Sequence, residues 1–147
     1  MQSRSVDVEG RRVVIVIGDE GDDPVAAITD AAGRHGVRAA QITGVGGFSR
    51  ATLGYFDRNR HDYQPISVDE QVEVLSFLGD LATSEGHQVP HVHVVLGRAD
   101  GTTVGGHLQR AEVWPTLEVV ITEVGPELAK RLDPRTGLAL IDLSQSA

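Results

Sequence analysis

Apolar and polar residues follow patterns along the chain that mostly predict strands. A run of β-branched residues at Arg11–Gly18 predicts a strand that is buried on both faces. Two more strands are predicted at Val37–Thr43 and Ser49–Asp57, joined by a glycine turn. The remaining predicted strands are about Gln71–Leu78, a hairpin over Pro90–Leu108, and two final segments at Pro115–Val124 and Gly137–Leu143.

One segment has the pattern of a helix instead. Asp23 can cap its first turn, Pro24 suits its first position, and Gly36 is a suitable residue to end it. Between these ends, apolar residues recur with helical spacing at Val25, Ile28, Ala31 and Ala32. A second, short helix is predicted at Pro126–Leu132.

These elements predict the fold class. Seven or eight strands, one main helix and turn signals about every ten residues are typical of an α+β protein with a mostly antiparallel sheet. The sequence contains no linker or internal repeat, so we expect a single compact domain over residues 11–143. Residues 1–10 and 144–147 are predicted to be flexible tails.

The amino-acid composition limits the kinds of site and partner that are expected for this chain. The 147 residues include no cysteine, which excludes disulfides, thiolate metal sites and cysteine nucleophiles. A metal site would therefore use His, Asp or Glu. The formal net charge of −8 repels a polyanion, so direct nucleic-acid binding by this chain alone is predicted to be weak. The sequence shows neither a secretory signal nor a run long enough to span a membrane, and a cytoplasmic location is expected.

A glycine-rich segment, GVGGFS at Gly44–Ser49, resembles part of a dinucleotide-binding fingerprint. That fingerprint requires a third glycine, where this chain has Ser49, and a helix after the loop. The residues that follow are predicted to form a strand. We therefore interpret the segment as a tight turn between strands, and no nucleotide cofactor is predicted.

Three of the six histidines lie in the hairpin PHVHVVLGRADGTTVGGHL. Strand alternation places His91 and His93 on the same face, about 7 Å apart along the backbone. The position of His107 depends on the turn. A three-residue loop with Gly101 in the left-handed conformation pairs His107 with His93, and a bulge at Gly105–Gly106 would bring it to the same face after a two-residue turn.

The three histidines together predict a site for one divalent metal, most simply zinc. The alternative is a polar sheet face whose histidines bond to neighbours or water. Protons compete for imidazole, so occupancy should fall below about pH 6. His87 is a spare ligand candidate, although Pro90 is expected to end the strand between it and the others.

Three further residues are weak candidates for catalytic roles. Glu73 and Glu118 are carboxylates among apolar neighbours. Such a carboxylate either pairs with an arginine, such as Arg50, or has a raised pKa that suits proton transfer. Pairing is the commoner arrangement.

Three segments together resemble the plants-and-prokaryotes conserved domain, the PPC family. They are ITGVGGFSRATLGYFD, EQVEVLSFLGD and the histidine hairpin, within a similarity that runs from about Arg11 to Val124. The resemblance implies a homotrimer with a fold related to acetolactate decarboxylase, in which three histidines hold a catalytic zinc. The matching positions here are His91, His93 and His107. Plant members carry an Arg-Gly-Arg-Pro DNA-binding core, which this sequence lacks.

Two functions are therefore open at the level of sequence. One is a trimeric metal-binding protein, possessing or lacking enzymatic activity, that acts on or senses a small carbonyl or carboxylate metabolite. The other is a regulatory trimerisation module, DNA-associated or protein-binding, without catalysis. The homotrimer also agrees with strands that are apolar on both faces, which one helix cannot cover.

Overall fold

A computed structural model describes residues 1–84, 86–125 and 128–144. These residues form one helix, α1 (Pro24–His35), and nine strands. The strands are β1 (Gln2–Val8), β2 (Arg11–Gly18), β3 (Ala40–Asp57), β4 (Asp62–Val68), β5 (Val72–Ser84), β6 (His87–Gly97), β7 (Thr103–Glu123), β8 (Ala129–Leu132) and β9 (Ala139–Ile141).

All nine strands belong to one sheet, in the order β1-β2-β7-β3-β5-β8-β9, with β4 beside β3. Strand β6 pairs with both β5 and β7. Because β3 also pairs with β5 and β7, the strands β3, β5, β6 and β7 pair in a closed cycle. Every pair is antiparallel except β5–β8. The predicted α+β class is confirmed, with one strand more than the seven or eight expected.

The core fills the inside of this curved sheet and is closed on one side by α1. Fully buried side chains include Phe48, Phe77 and Ile121 from the strands, and Ile28 from the helix. The helix ends as predicted. The Asp23 carboxylate accepts the backbone N–H of Ala26 at 2.9 Å, and the cap glycine has φ 67°.

Strand β2 departs from its predicted environment. Val14 and Val16 are buried, but Ile15, between them, is 41% exposed. The face of β2 that carries Val14 and Val16 therefore contacts the core, whereas the face that carries Ile15 is only partly covered by the described residues. The prediction that both faces are buried is wrong for the single chain.

The glycine segment is not a turn. Strand β3 runs unbroken from Ala40 to Asp57, and its pairing shifts register at Gly44–Gly46. A Cβ on Gly46 would lie 2.8 Å from the Cα of Leu117, and one on Gly47 would overlap the backbone of Trp114. The glycines therefore allow β7 to approach β3 closely at a bulge, which is why two predicted strands are one.

Both chain ends contain strands that the sequence did not predict. Gln2–Val8 pairs with β2 along its whole length, so residues 1–10 are not a flexible tail. Ala129–Leu132 is a strand, so the predicted second helix is wrong where it is described; residues 126 and 127 lie outside the described residues, as do 145–147 of the predicted C-terminal tail.

Among the helices in the described part of the chain, none is long and apolar enough to cross a membrane. The cytoplasmic location stays a prediction from sequence.

Candidate metal centre

The hairpin that carries the three histidines has the register that the three-residue loop requires. The backbone N–H of Arg98 donates to the carbonyl of Thr102 at 2.9 Å, and Gly101 has φ 82°. Pairing continues without a shift from Gly97–Thr103 to His93–His107. The loop alternative is therefore confirmed, and no bulge between β6 and β7 is needed.

The glycine pair before His107 has a different role from the one predicted. A Cβ on Gly105 would lie 2.9 Å from the carbonyl oxygen of Val94, and one on Gly106 would lie 2.9 Å from that of Gly54. These glycines let β7 fit closely between β6 and β3. Pro90 also lies within β6, opposite Leu81, so the expectation that it ends the strand is wrong.

The three histidine rings converge on one face. One ring nitrogen from each of His91, His93 and His107 lies within 4.8 Å of the other two. The Nε2 atoms of His91 and His93 are 3.1 Å apart, close to the spacing of two imidazole nitrogens on one tetrahedral zinc, about 3–3.5 Å. Among the described residues this is the only group of three or more potential ligands arranged in this way.

Two charged residues that were not predicted lie behind His91. Asp80 is directly opposite His91 in the β5–β6 pair, and its Oδ2 is 3.6 Å from His91 Nδ1. The Nζ of Lys130, from β8, is 2.7 Å from the other Asp80 oxygen. The Lys130 side chain is only 4% exposed. A line of three polar groups therefore runs inward from the histidine site.

The surroundings of the site lower the pKa values of two of its histidines and of Asp80, which favours binding of a cation. Burial, together with the charges of His91, His93 and Lys130, lowers the pKa of His107 to about 4. Burial also lowers the pKa of His93. Burial alone would raise the pKa of Asp80, but its interactions with His91 and Lys130 hold that pKa below the ordinary value. His93 and His107 are therefore neutral at physiological pH, the state in which imidazole binds a metal.

An aromatic ring closes one side of the site. Tyr63, on β4, stacks on His107 with a centroid distance of 4.7 Å and an angle of 29° between the ring planes. The ring occupies space that a side chain at position 54 would need, since a Cβ on Gly54 would lie 2.7 Å from Tyr63 Cδ1. Burial raises the pKa of the Tyr63 hydroxyl, so it is a neutral phenol beside the histidines.

The weak catalytic candidates lie elsewhere. Glu73 and Glu118 are exposed and do not belong to the histidine group. Arg50 donates to Glu112 at 2.8 Å, in a cavity of about 340 Å³ that none of the three histidines lines. Arg50 is therefore paired with Glu112 and not with either of the two candidate carboxylates.

The spare ligand candidate is also separate. His87 is exposed at the start of β6, opposite Ser84, and is not a member of the group.

Asp80, Lys130 and Tyr63 were not predicted, because little in the sequence indicates that they lie near the histidines. Asp80 can be found only after the β5–β6 register is known. Lys130 is the only lysine of the chain, which made it noticeable, but its short strand was predicted to be helical. Tyr63 was not distinguishable from any other half-buried aromatic.

The residues present fit a divalent metal. The buried Nδ1 of His107 has no hydrogen-bond partner among the described residues, and a buried polar atom of this kind calls for one. Three imidazole nitrogen donors suit zinc and related ions of intermediate softness. Three protein ligands also leave a coordination position for water or a small molecule, as in catalytic zinc sites.

The low pKa of His107 predicts an acid-sensitive fold in the metal-free protein. In the unfolded chain the pKa returns towards 6.5. Between about pH 6.5 and 4 the unfolded state binds a proton that the folded state does not, so this contribution to stability is lost as pH falls through that range. Thermal melting of chelator-treated protein should show a steeper fall for wild type than for His107→Gln. Parallel curves would contradict the prediction.

Comparison with known proteins gives consistent results. The sequence model of the Plants and Prokaryotes Conserved (PCC) domain matches residues 5–125. The crystal structure of a metal-containing protein from Archaeoglobus fulgidus is 32% identical, with a TM-score of 0.81, covering 88% of this chain and 91% of that one. A plant- and prokaryote-conserved protein from Pyrococcus horikoshii is 25% identical, with a TM-score of 0.84, covering 96% and 94%.

A curated relative is much longer than this chain. The bifunctional protein GlmU of Synechococcus sp. is 29% identical over 108 residues, which make up 72% of this chain but only 16% of that protein. The similarity thus concerns a small part of GlmU.

Proposed function

Because the chain belongs to the Plants and Prokaryotes Conserved domain family, we propose that it binds one divalent metal ion, most simply zinc, through His91, His93 and His107. In this proposal the bound ion presents an open position to a small carbonyl or carboxylate metabolite, which the protein senses or transforms. The convergence of the three ring nitrogens within 4.8 Å carries the proposal.

Several observations support it. The protein from Archaeoglobus fulgidus that is 32% identical is described as metal-containing. All three donors are imidazoles and the chain has no cysteine, which favours zinc over ions that prefer thiolates or all-oxygen sites. The lowered pKa values of His93 and His107 reduce competition from protons.

A bound divalent ion would supply Lewis-acid polarisation of a carbonyl or carboxylate oxygen. The chain's own residues would do the rest. Tyr63 covers one side of His107 and so limits how a ligand can approach. Leu78, directly opposite His93 on β5, is 56% exposed and offers apolar contact beside the histidines.

Metal analysis of protein purified without a histidine tag tests the proposal. We expect about one divalent ion per chain, or uptake of one zinc per chain when chelator-treated protein is titrated. Absence of stoichiometric uptake at neutral pH would exclude the proposed function.

We also propose that the chain assembles as a homotrimer. A row of directly paired residues crosses the outer sheet face from Ile15 through Val120, Thr43 and Leu78 to His93. Its three aliphatic members are between 39% and 56% exposed in the single chain. Apolar surface of this kind is typical of an interface, and neighbouring copies placed on it would border the histidine site. Light scattering at micromolar concentration should give three times the chain mass, and a monomer would contradict this.

A regulatory module without catalysis is the alternative function. The net charge of −8 argues against direct DNA contact, although it leaves protein partners open. We expect DNA binding to be weak and to disappear as salt is raised. Nanomolar binding to a specific duplex at physiological salt would favour the alternative.

A further inference from the structure

The ion pair between the buried Lys130 and the partly buried Asp80 is not explained by stability alone. Removing an ammonium and a carboxylate from water costs roughly as much as their attraction returns, so such pairs contribute little net stability. Lys130 is nevertheless almost completely buried and contacts Asp80 at 2.7 Å. The Asp80 carboxylate in turn points its second oxygen at His91, a member of the histidine group.

The contact between Asp80 and Nδ1 of His91 influences which tautomer the His91 ring adopts, and therefore whether its Nε2 can bind a metal. Neutral imidazole carries one proton, and a carboxylate beside Nδ1 favours the tautomer protonated there. Nε2 of His91 then carries the lone pair, which can accept the hydrogen bond from His93 Nε2, 3.1 Å away, or bind a metal in its place. At 3.6 Å the Asp80 contact is longer than a hydrogen bond, and contacts of this kind commonly tighten when a site is filled.

We infer that Asp80 and Lys130 are positioning residues for His91. Asp80 holds the imidazole in the tautomer whose Nε2 can bind a metal, and Lys130 holds Asp80 against that ring. A metal-ligating histidine generally donates its second N–H to an acceptor of this kind, which fixes the ring and raises its basicity. The inference rests on the proposed metal function, because it concerns the tautomer and the orientation of one proposed ligand, His91.

Lys130 belongs to strand β8, near the end of the chain. The sequence model of the family matches residues 5–125, so Lys130 lies after the matched region. Strand β8 reaches the site because Thr83 and Ser84 at the end of β5 pair in parallel with Ala129 and Lys130. The segment after the matched region is therefore part of the site.

The tautomer of His91 can be measured without any metal. We would record nitrogen NMR spectra of histidine-labelled, metal-free protein at about pH 8, where free imidazole is neutral, and assign His91 by its loss in His91→Ala. Wild type should show the proton on Nδ1 of His91. The variant Asp80→Ala/Lys130→Met removes both charges, so that no unpaired ammonium is left buried, and should shift the proton towards Nε2.

Single variants and a control separate the two roles. Lys130→Met alone should shift the His91 tautomer in the same direction by a smaller amount, because Asp80 remains but is no longer held. Glu73→Gln removes an exposed carboxylate from the same strand and should leave the tautomer unchanged. In zinc titrations the double variant should bind about 10–100-fold more weakly than wild type.

An unchanged His91 tautomer in the double variant would overturn the inference, as would Nε2 protonation of His91 in wild type. Failure of the proposed function has a different signature. Wild type would then bind no metal, while the tautomer would still follow Asp80 and Lys130.

Discussion

We expect the double substitution His91→Ala/His93→Ala to abolish stoichiometric metal binding while the fold remains. Two of the three nitrogen donors are lost, and one imidazole with water ligands holds zinc poorly. The loss of affinity should exceed about 100-fold, the upper range for removal of an outer-shell partner alone. Both side chains lie on the outer sheet face, opposite the buried Val92 and Val94, so truncation opens no core cavity. Zinc titration followed by calorimetry measures the effect.

His87→Ala is the matched control for this experiment. It removes a histidine from the same strand that lies outside the group, and should bind zinc like wild type. Circular dichroism and melting of the metal-free proteins would establish that all three fold alike. Retention of one ion per chain by the double variant would contradict the assignment of the site, and loss of the ion in His87→Ala would show that the ligand set is wrong.

Gly79→Ala should reduce both stability and metal affinity. A Cβ at this position would overlap the carbonyl oxygen of His91 and lie 3.0 Å from the Cα of Val92. Both are backbone atoms of β6, so the clash can be relieved only if the strand that carries two of the proposed ligands moves. Overpacking of this kind costs about 1–3 kcal/mol of unfolding free energy. Urea denaturation measures the loss of unfolding free energy, and zinc titration measures the loss of metal affinity that we expect from the displacement of His91.

Gly33→Ala is the matched control, because it adds the same methyl group at a position where there is space for it. Gly33 is an exposed residue in α1, and a Cβ there would meet no atom within 4 Å. Alanine is favoured over glycine in a helix interior by about 0.5–1 kcal/mol, so this variant should be more stable than wild type. Equal effects of the two substitutions would refute the argument from close approach.

The convergence of the three histidines could be predicted because it depends on local rules. Alternation in one strand fixes the common face of His91 and His93, and the loop at Ala99–Gly101 fixes the partner of His93. Both rules act within one hairpin. The helix was predicted for the same reason, since Asp23 and Gly36 act through hydrogen bonds close in sequence.

The features that sequence reasoning missed depend on contacts between distant segments. Glycines in β3 resembled a turn because the approach of β7, which they permit, cannot be read from β3 alone. Strand β1 is polar at most positions and was predicted to be a tail, yet pairing with β2 orders it. The contact between Asp80 and Lys130 joins residues that are 50 positions apart, through a parallel pair of only two residues on each strand.

The single lysine side chain of this protein also makes it a natural reporter. An amine-directed reagent has little access to the Lys130 Nζ in the folded protein, since that side chain is only 4% exposed and its Nζ contacts Asp80 of β5. Labelling must wait until β8 separates from β5, so its rate measures how often this corner of the sheet opens. A ligand that tightens the histidine site should slow the labelling, and mass spectrometry could follow that protection in unmodified wild-type protein.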